Sequence, residues 1–154
     1  MSYAVGERVV AAQPTAVIAA ETTWDEFPSL WRRLLDEIWS AVRSNDAVDP
    51  GRNVMLYKDD VPNVEVGVEA KGPFAAIGRI VPSALPSGRV ATTTHRGRYE
   101  DIGAAHEAVI RWCDDCGLER TGVRWEIYGH WIEGVEPEVE VYWLLRGTSA
   151  VSTS

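Results

Sequence analysis

The chain has 154 residues, 45% of them hydrophobic and 25% charged. That composition suits one globular domain, or two small halves that share a core. Fifteen Lys and Arg against 23 Asp and Glu leave a net charge of -8, which argues against direct nucleic-acid binding, because that requires a basic footprint. The start, MSYAVGERVV, lacks a basic segment leading into an apolar run, and stretches such as Ala16–Ala20 are too short to span a bilayer. With only two cysteines, these features predict a cytoplasmic protein with no membrane partner.

In chain order, a strand-like Val17–Thr23 is followed by the helical run DEFPSLWRRLLDEIWSAVRS. In that run Phe27, Leu30, Trp31, Leu34, Leu35, Ile38, Trp39 and Val42 recur at i, i+3, i+4 and i+7, and Pro28 suits the first turn. A Pro50-Gly51 turn comes next, then two strands, NVMLY (53–57) and VEVGVEA (64–70). The second half repeats the order: Arg89–His95, the helical run YEDIGAAHEAVIRWCDDCG, a Thr121-Gly122 turn, RWEIYGHW (124–131) and VEVYWLL (139–145). Its helical stripe is Ile102, Ala105, Val109, Cys113 and Cys116, with Gly117 as the stop. Gly51 matches Gly122, Tyr57 matches Tyr128, and Val64-Glu65-Val66 matches Val139-Glu140-Val141.

The prediction is therefore an α+β fold, a duplicated strand–helix–strand–strand unit with pseudo-twofold symmetry, antiparallel sheets and two long helices. Repeat 1 covers about 5–70, a linker about 71–78, repeat 2 about 79–146, and a polar tail, read as disordered, 147–154. Strand alternation sorts the side chains into faces. The apolar sets Val54/Leu56, Val64/Val66/Val68, Trp125/Ile127 and Val139/Val141/Trp143 are expected under the helices. The mixed set is expected on the opposite face, with Glu65, Glu69, Glu126 and Glu140 among Met55, Tyr57, Tyr128 and Tyr142.

Most site motifs fail. Cys113-Asp-Asp-Cys116 has C-x-x-C spacing, but at a helix C-terminus beside two carboxylates, where thiolate is disfavoured, so both are read as ordinary, partly buried cysteines. His95, His106 and His130 show no tight metal-ligand spacing, and no metal or cofactor is expected. There is no G-x-S-x-G elbow or phosphate-binding glycine loop. His106, on or beside the apolar stripe, reads as a satisfied core or boundary histidine. The mixed set keeps two readings: a solvated sheet face, or a carboxylate among rings that meets a lipophilic cation.

The ordered set His95-Arg96-Gly97-Arg98-Tyr99, helix, Glu126-Ile127-Tyr128 closely resembles the GyrI-like, or bacterial effector-binding, domain, and WDEFPSLWRRL is similar to that family's degenerate first repeat. The family occurs at the C-terminal end of AraC- and MerR-type multidrug regulators and as free-standing proteins. The resemblance implies a ligand cleft between the halves. It also implies a ligand set of Glu126 as the central glutamate, Tyr99, Tyr128 and Tyr142, with Trp39, Met55 and Tyr57 from the first half. The function implied is binding of hydrophobic, often cationic aromatic small molecules, for sensing or sequestration. The alternative is a hydrolase that opens strained cyclopropane-containing DNA-alkylating compounds, with Glu126 as base and Tyr128 or Tyr99 as donor. A third reading is a module with a protein partner, like the family's gyrase inhibitors. The strand pattern begins almost at Met1, so no helix-turn-helix is expected, and the loop GHWIEGVEPE is expected to bring Trp131 to the cleft mouth.

Overall fold

The amphipathic run after Trp24 folds as the first long helix, α1 (Phe27–Arg43), with Pro28 in its first turn and Phe27, Leu34, Leu35, Ile38 and Val42 buried. The second, α2 (Ile102–Cys116), follows a short 3-10 turn at Tyr99–Asp101 and buries Ala105, Val109 and Cys113. It ends at Gly117, whose φ of 69° is the left-handed conformation that glycine adopts without a Cβ penalty. The protein, a computed structural model, is described over residues 3–45, 48–130 and 132–146. Trp131 and the tail 147–154 lie outside the described residues.

The strands are β1 (Gly6–Val10), β2 (Gln13–Glu21), β3 (Pro50–Tyr57), β4 (Asn63–Ala70), β5 (Val81–Leu85), β6 (Gly88–Arg96), β7 (Arg120–Tyr128) and β8 (Glu138–Leu145). The chain divides into two compact units, Met1–Ala11 with Pro86–Ser154, and Ala12–Leu85. The first holds β1, β6, α2, β7 and β8, with strand order β1-β6-β8-β7; the second holds β2, α1, β3, β4 and β5, with order β3-β4-β2-β5. Every strand pair within them is antiparallel. This is the α+β architecture expected, with the order strand–helix–strand–strand present in each unit. The leading strands cross over in sequence: β1 pairs with β6, and β5 pairs with β2.

Two local expectations are corrected. Pro50-Gly51 and Thr121-Gly122 are not turns before the strands but lie within β3 and β7, at register shifts between Pro50 and Asn53 and between Arg120 and Arg124. Backbone groups freed at such irregularities need other partners: Arg52 N–H donates to Glu69 Oε1 (2.8 Å) and Val123 N–H to Thr121 Oγ1 (3.1 Å).

The second correction concerns the faces. Residues directly opposite each other across a ladder share a face. Arg124, Glu126 and Tyr128 lie opposite Trp143, Val141 and Val139, while Trp125 and Ile127 lie opposite Tyr142 and Glu140. Val141 and Trp143 pack with Ala105, Val109 and Cys113 of α2. The mixed set of β7 therefore faces α2, and Trp125 and Ile127 face away. In the other unit, Asn53, Met55 and Tyr57 lie opposite Val68, Val66 and Val64, while Leu56 lies opposite Glu65. Ring contact between Tyr57 and Phe27, and the bond from Trp39 Nε1–H to Asn53 Oδ1 (2.8 Å), put that mixed set on the α1 side.

Candidate functional site

The register splits the four candidate carboxylates. Glu65 accepts from Ser83 Oγ (2.6 Å) and pairs with Lys58 (2.7 Å). Glu69 pairs with Arg52 (3.0 Å), and Glu140 accepts from Tyr142 (2.6 Å). Glu126 alone among them lies on the α2 side, and it is only 3% exposed.

A buried carboxylate is costly unless donors meet it. Tyr128, two residues along the same strand face, donates its hydroxyl to Glu126 Oε1 at 2.6 Å. His106, on α2, places Nε2 at 2.6 Å from Oε2. Its other nitrogen, Nδ1, accepts from Trp143 Nε1–H at 2.9 Å. Burial, above all, and then the neighbouring Glu126 charge push the Tyr128 hydroxyl far above the ordinary tyrosine range. Tyr128 therefore stays a proton-bearing donor.

A further ring of the group comes from the H-x-G-x-Y turn. His95 is buried at the end of β6, and its Nε2–H donates to the Arg98 carbonyl (2.7 Å) while Nδ1 accepts from Tyr3 (2.9 Å). A carbonyl only accepts, so the ring proton sits on Nε2. Gly97, at φ 121°, supplies the backbone conformation that turns the chain there, and its N–H donates to the Pro137 carbonyl (3.1 Å). The turn delivers Tyr99 edge-on to Tyr128, ring centroids 5.5 Å apart, with Tyr99 40% exposed. The result is an open ring, a half-buried ring and a buried acid in sequence.

Of the residues named from the sequence, Glu126, Tyr128 and Tyr99 are brought together. Tyr142 is on the opposite face, stacked on Trp125 (5.5 Å, 14° between planes). Met55, Tyr57 and Trp39 belong to the other unit: Tyr57 donates to Met55 Sδ (3.8 Å), and Trp39 is engaged with Asn53. His106, read as a satisfied core or boundary histidine, is partly buried with both ring nitrogens engaged, by Trp143 and by Glu126. Trp24, passed over in the sequence, lies over Tyr57 at 5.7 Å and stands three residues before α1, as Tyr99 stands three before α2. That shared offset was readable. Cys113 is buried and Cys116 exposed, and burial raises the Cys113 thiol pKa, against a redox pair. A cavity of about 460 Å³ lies against α2 at Tyr3, Val5, Ala108 and Trp112, and none of the predicted site residues lines it.

Residues 5–143 match the model of the GyrI-like small molecule binding domain. The chain belongs to the GyrI-like family. It is a small-molecule binding domain with α+β architecture. No curated protein matches it. Among solved structures of this fold, the C-terminal domain of EcmrR aligns with TM-score 0.78 at 17% identity, over 94% of this chain and 98% of that one. Against the EcmrR chain in its DNA complex, the GyrI-like chain spans 57% of the length. SAV2435 bound to tetraphenylphosphonium aligns with TM-score 0.69 at 13% identity, over 96% and 95% of the two chains. A hydrolase from Listeria innocua aligns with TM-score 0.58 at 8% identity, over 92% and 91%. Among the described residues, no helix is long and apolar enough to cross a membrane.

Proposed function

We propose that the domain binds hydrophobic, often cationic aromatic molecules, with Glu126 as the charge complement and Tyr128 and Tyr99 as the rings beside it. The observation that carries this reading is a carboxylate 3% exposed whose two oxygens accept from Tyr128 and His106. A lipophilic cation fits such a group, and each ring face adds roughly 0.5–2 kcal/mol of cation–π attraction. SAV2435, a structural neighbour, holds tetraphenylphosphonium, a cation of this class.

The geometry favours binding over ring-opening hydrolysis. A hydrolase would use Glu126 as base and Tyr128 as donor to a carbonyl. Here the Tyr128 hydroxyl already donates its hydrogen bond to Glu126 itself. Titration with tetraphenylphosphonium, followed by tryptophan fluorescence, tests the reading. Glu126→Gln is expected to weaken that cation at least about tenfold, the scale of a desolvated charge contact. Uncharged triphenylphosphine oxide is expected to change less than about threefold. Equal loss of both probes would remove Glu126 as the charge complement.

A further inference from the structure

Tyr99 is 40% exposed, so burial alone does not fix its ring against Tyr128. His95, the penultimate residue of β6, is by contrast only 2% exposed. Its Nε2 lies 2.7 Å from the Arg98 carbonyl oxygen, which also accepts from Asp101 N–H at 3.1 Å. A peptide group is planar, so a carbonyl held from two directions fixes the N–H and Cα of the residue that follows it. That residue is Tyr99. Neither Arg98 nor Asp101 caps the 3-10 turn or α2 with its own side chain. The imidazole is held in turn by the N-terminal segment. Tyr3 Oη lies 2.9 Å from Nδ1, and Thr93 Oγ1 donates to the Ala4 carbonyl (2.8 Å), which ties that segment to β6.

We propose that His95 is a positioning residue for Tyr99: through the Arg98 carbonyl it sets the peptide from which the exposed ring is presented, beside Tyr128, to an aromatic ligand. The proposal rests on the reading of Tyr99 given above as a ring that meets the ligand. Without the imidazole N–H, the Arg98 carbonyl keeps the bond from Asp101, which closes the 3-10 turn. Gly97 stays tied to the Pro137 carbonyl, but its φ of 121° belongs to a residue with wide backbone freedom. The turn is then free to hinge between Gly97 and Tyr99. Tyr128 does not follow, because its hydroxyl is bonded to Glu126. The edge-on contact between the two rings opens, and an aromatic ligand loses the outer one.

A double-mutant cycle and two ring contacts test this. In the free wild-type protein, nuclear Overhauser contacts are expected between the Tyr99 and Tyr128 rings and between the stacked Trp125 and Tyr142 rings. His95→Leu, which keeps bulk but has no N–H, is expected to lose the first contact and keep the second. It should weaken tetraphenylphosphonium about three- to tenfold, the loss expected of Tyr99→Leu itself. In a Tyr99→Leu background the same substitution should add less than about twofold, since an effect exerted through that ring has nothing left to act on. His95→Gln brings an amide N–H within reach of the Arg98 carbonyl. It is expected to restore the Tyr99–Tyr128 contact and to bind within about twofold of wild type. Additive losses in the cycle overturn the proposal. So does a Tyr99–Tyr128 contact that survives in His95→Leu or fails to return in His95→Gln. Loss of both contacts in His95→Leu assigns the imidazole to the core at large and overturns it too. If Tyr99→Leu alone leaves binding unchanged, it is the reading of Tyr99 that fails. The ring contacts, recorded without ligand, still report whether His95 positions that ring.

Discussion

The two units place different chemistry at one backbone position. Glu126 in β7 and Met55 in β3 each stand two residues before the terminal tyrosine of their strand, opposite Val141 and Val66. Each tyrosine is covered by an exposed ring from just before the helix, Tyr99 over Tyr128 and Trp24 over Tyr57. The helices differ. α2 offers His106 to the acid, whereas α1 offers Trp39, which bonds Asn53 instead. A buried carboxylate is tolerated where the packed helix supplies a donor, and a thioether fills the place where it does not.

The largest effect expected from breaking the match is on stability. Trp125 and Val54 are equivalent and both face away from their helices, Trp125 opposite Tyr142 and Val54 opposite Gly67. Trp125→Ala is expected to lower unfolding free energy by about 3–5 kcal/mol in urea, and Val54→Ala by roughly 2 kcal/mol. Equal losses would mean that the Trp125–Tyr142 stack adds nothing to burial.

Next in size is the transfer of the acid. Met55 is 3% exposed, and Met55→Glu puts a carboxylate there with Tyr57 at hand but no histidine on α1. At pH 7 the variant is expected to be less stable than wild type by about 2–4 kcal/mol. Burial raises the folded-state pKa above the unfolded value of about 4.3. Below that unfolded value the group is neutral in both states and the charge penalty vanishes; it grows as pH rises toward the raised folded value. Urea midpoints of variant and wild type should therefore converge from pH 7 to pH 4. A gap that stays constant would assign the loss to shape rather than charge.

The helices and the end of α2 at Gly117 were legible because amphipathic spacing and a left-handed cap are local signals. The grouping of Glu126 with Tyr128 and Tyr99 followed from the family motif. The faces of β3 and β7 were not legible. Each strand alternates cleanly, but which alternate set meets the helix depends on pairing with β4 or β8, and a shift of one residue exchanges the sets. The shifts at Pro50–Asn53 and Arg120–Arg124 occupy the places read as turns. Tyr142 was consequently put beside Glu126 when it lies on the other face. The partner of His106 was not legible for the same reason: it is 20 residues away on a strand, and only the register shows that the strand turns a carboxylate toward the helix.

The smallest expected effect separates the two covering rings. Tyr99 and Trp24 are 40% and 46% exposed, so replacing either by Leu should alter stability by less than about 1 kcal/mol. Their effects on ligand should differ, because only Tyr99 lies beside the ring bonded to Glu126. Tyr99→Leu is expected to weaken tetraphenylphosphonium about three- to tenfold, the loss of one cation–π face. It should weaken triphenylphosphine oxide less. Trp24 covers a ring beside a thioether, so Trp24→Leu should treat the charged and uncharged probes alike. If Trp24→Leu instead selects against the cation as strongly as Tyr99→Leu, discrimination comes from the rings themselves, and the asymmetry between Glu126 and Met55 is not what distinguishes a charged ligand.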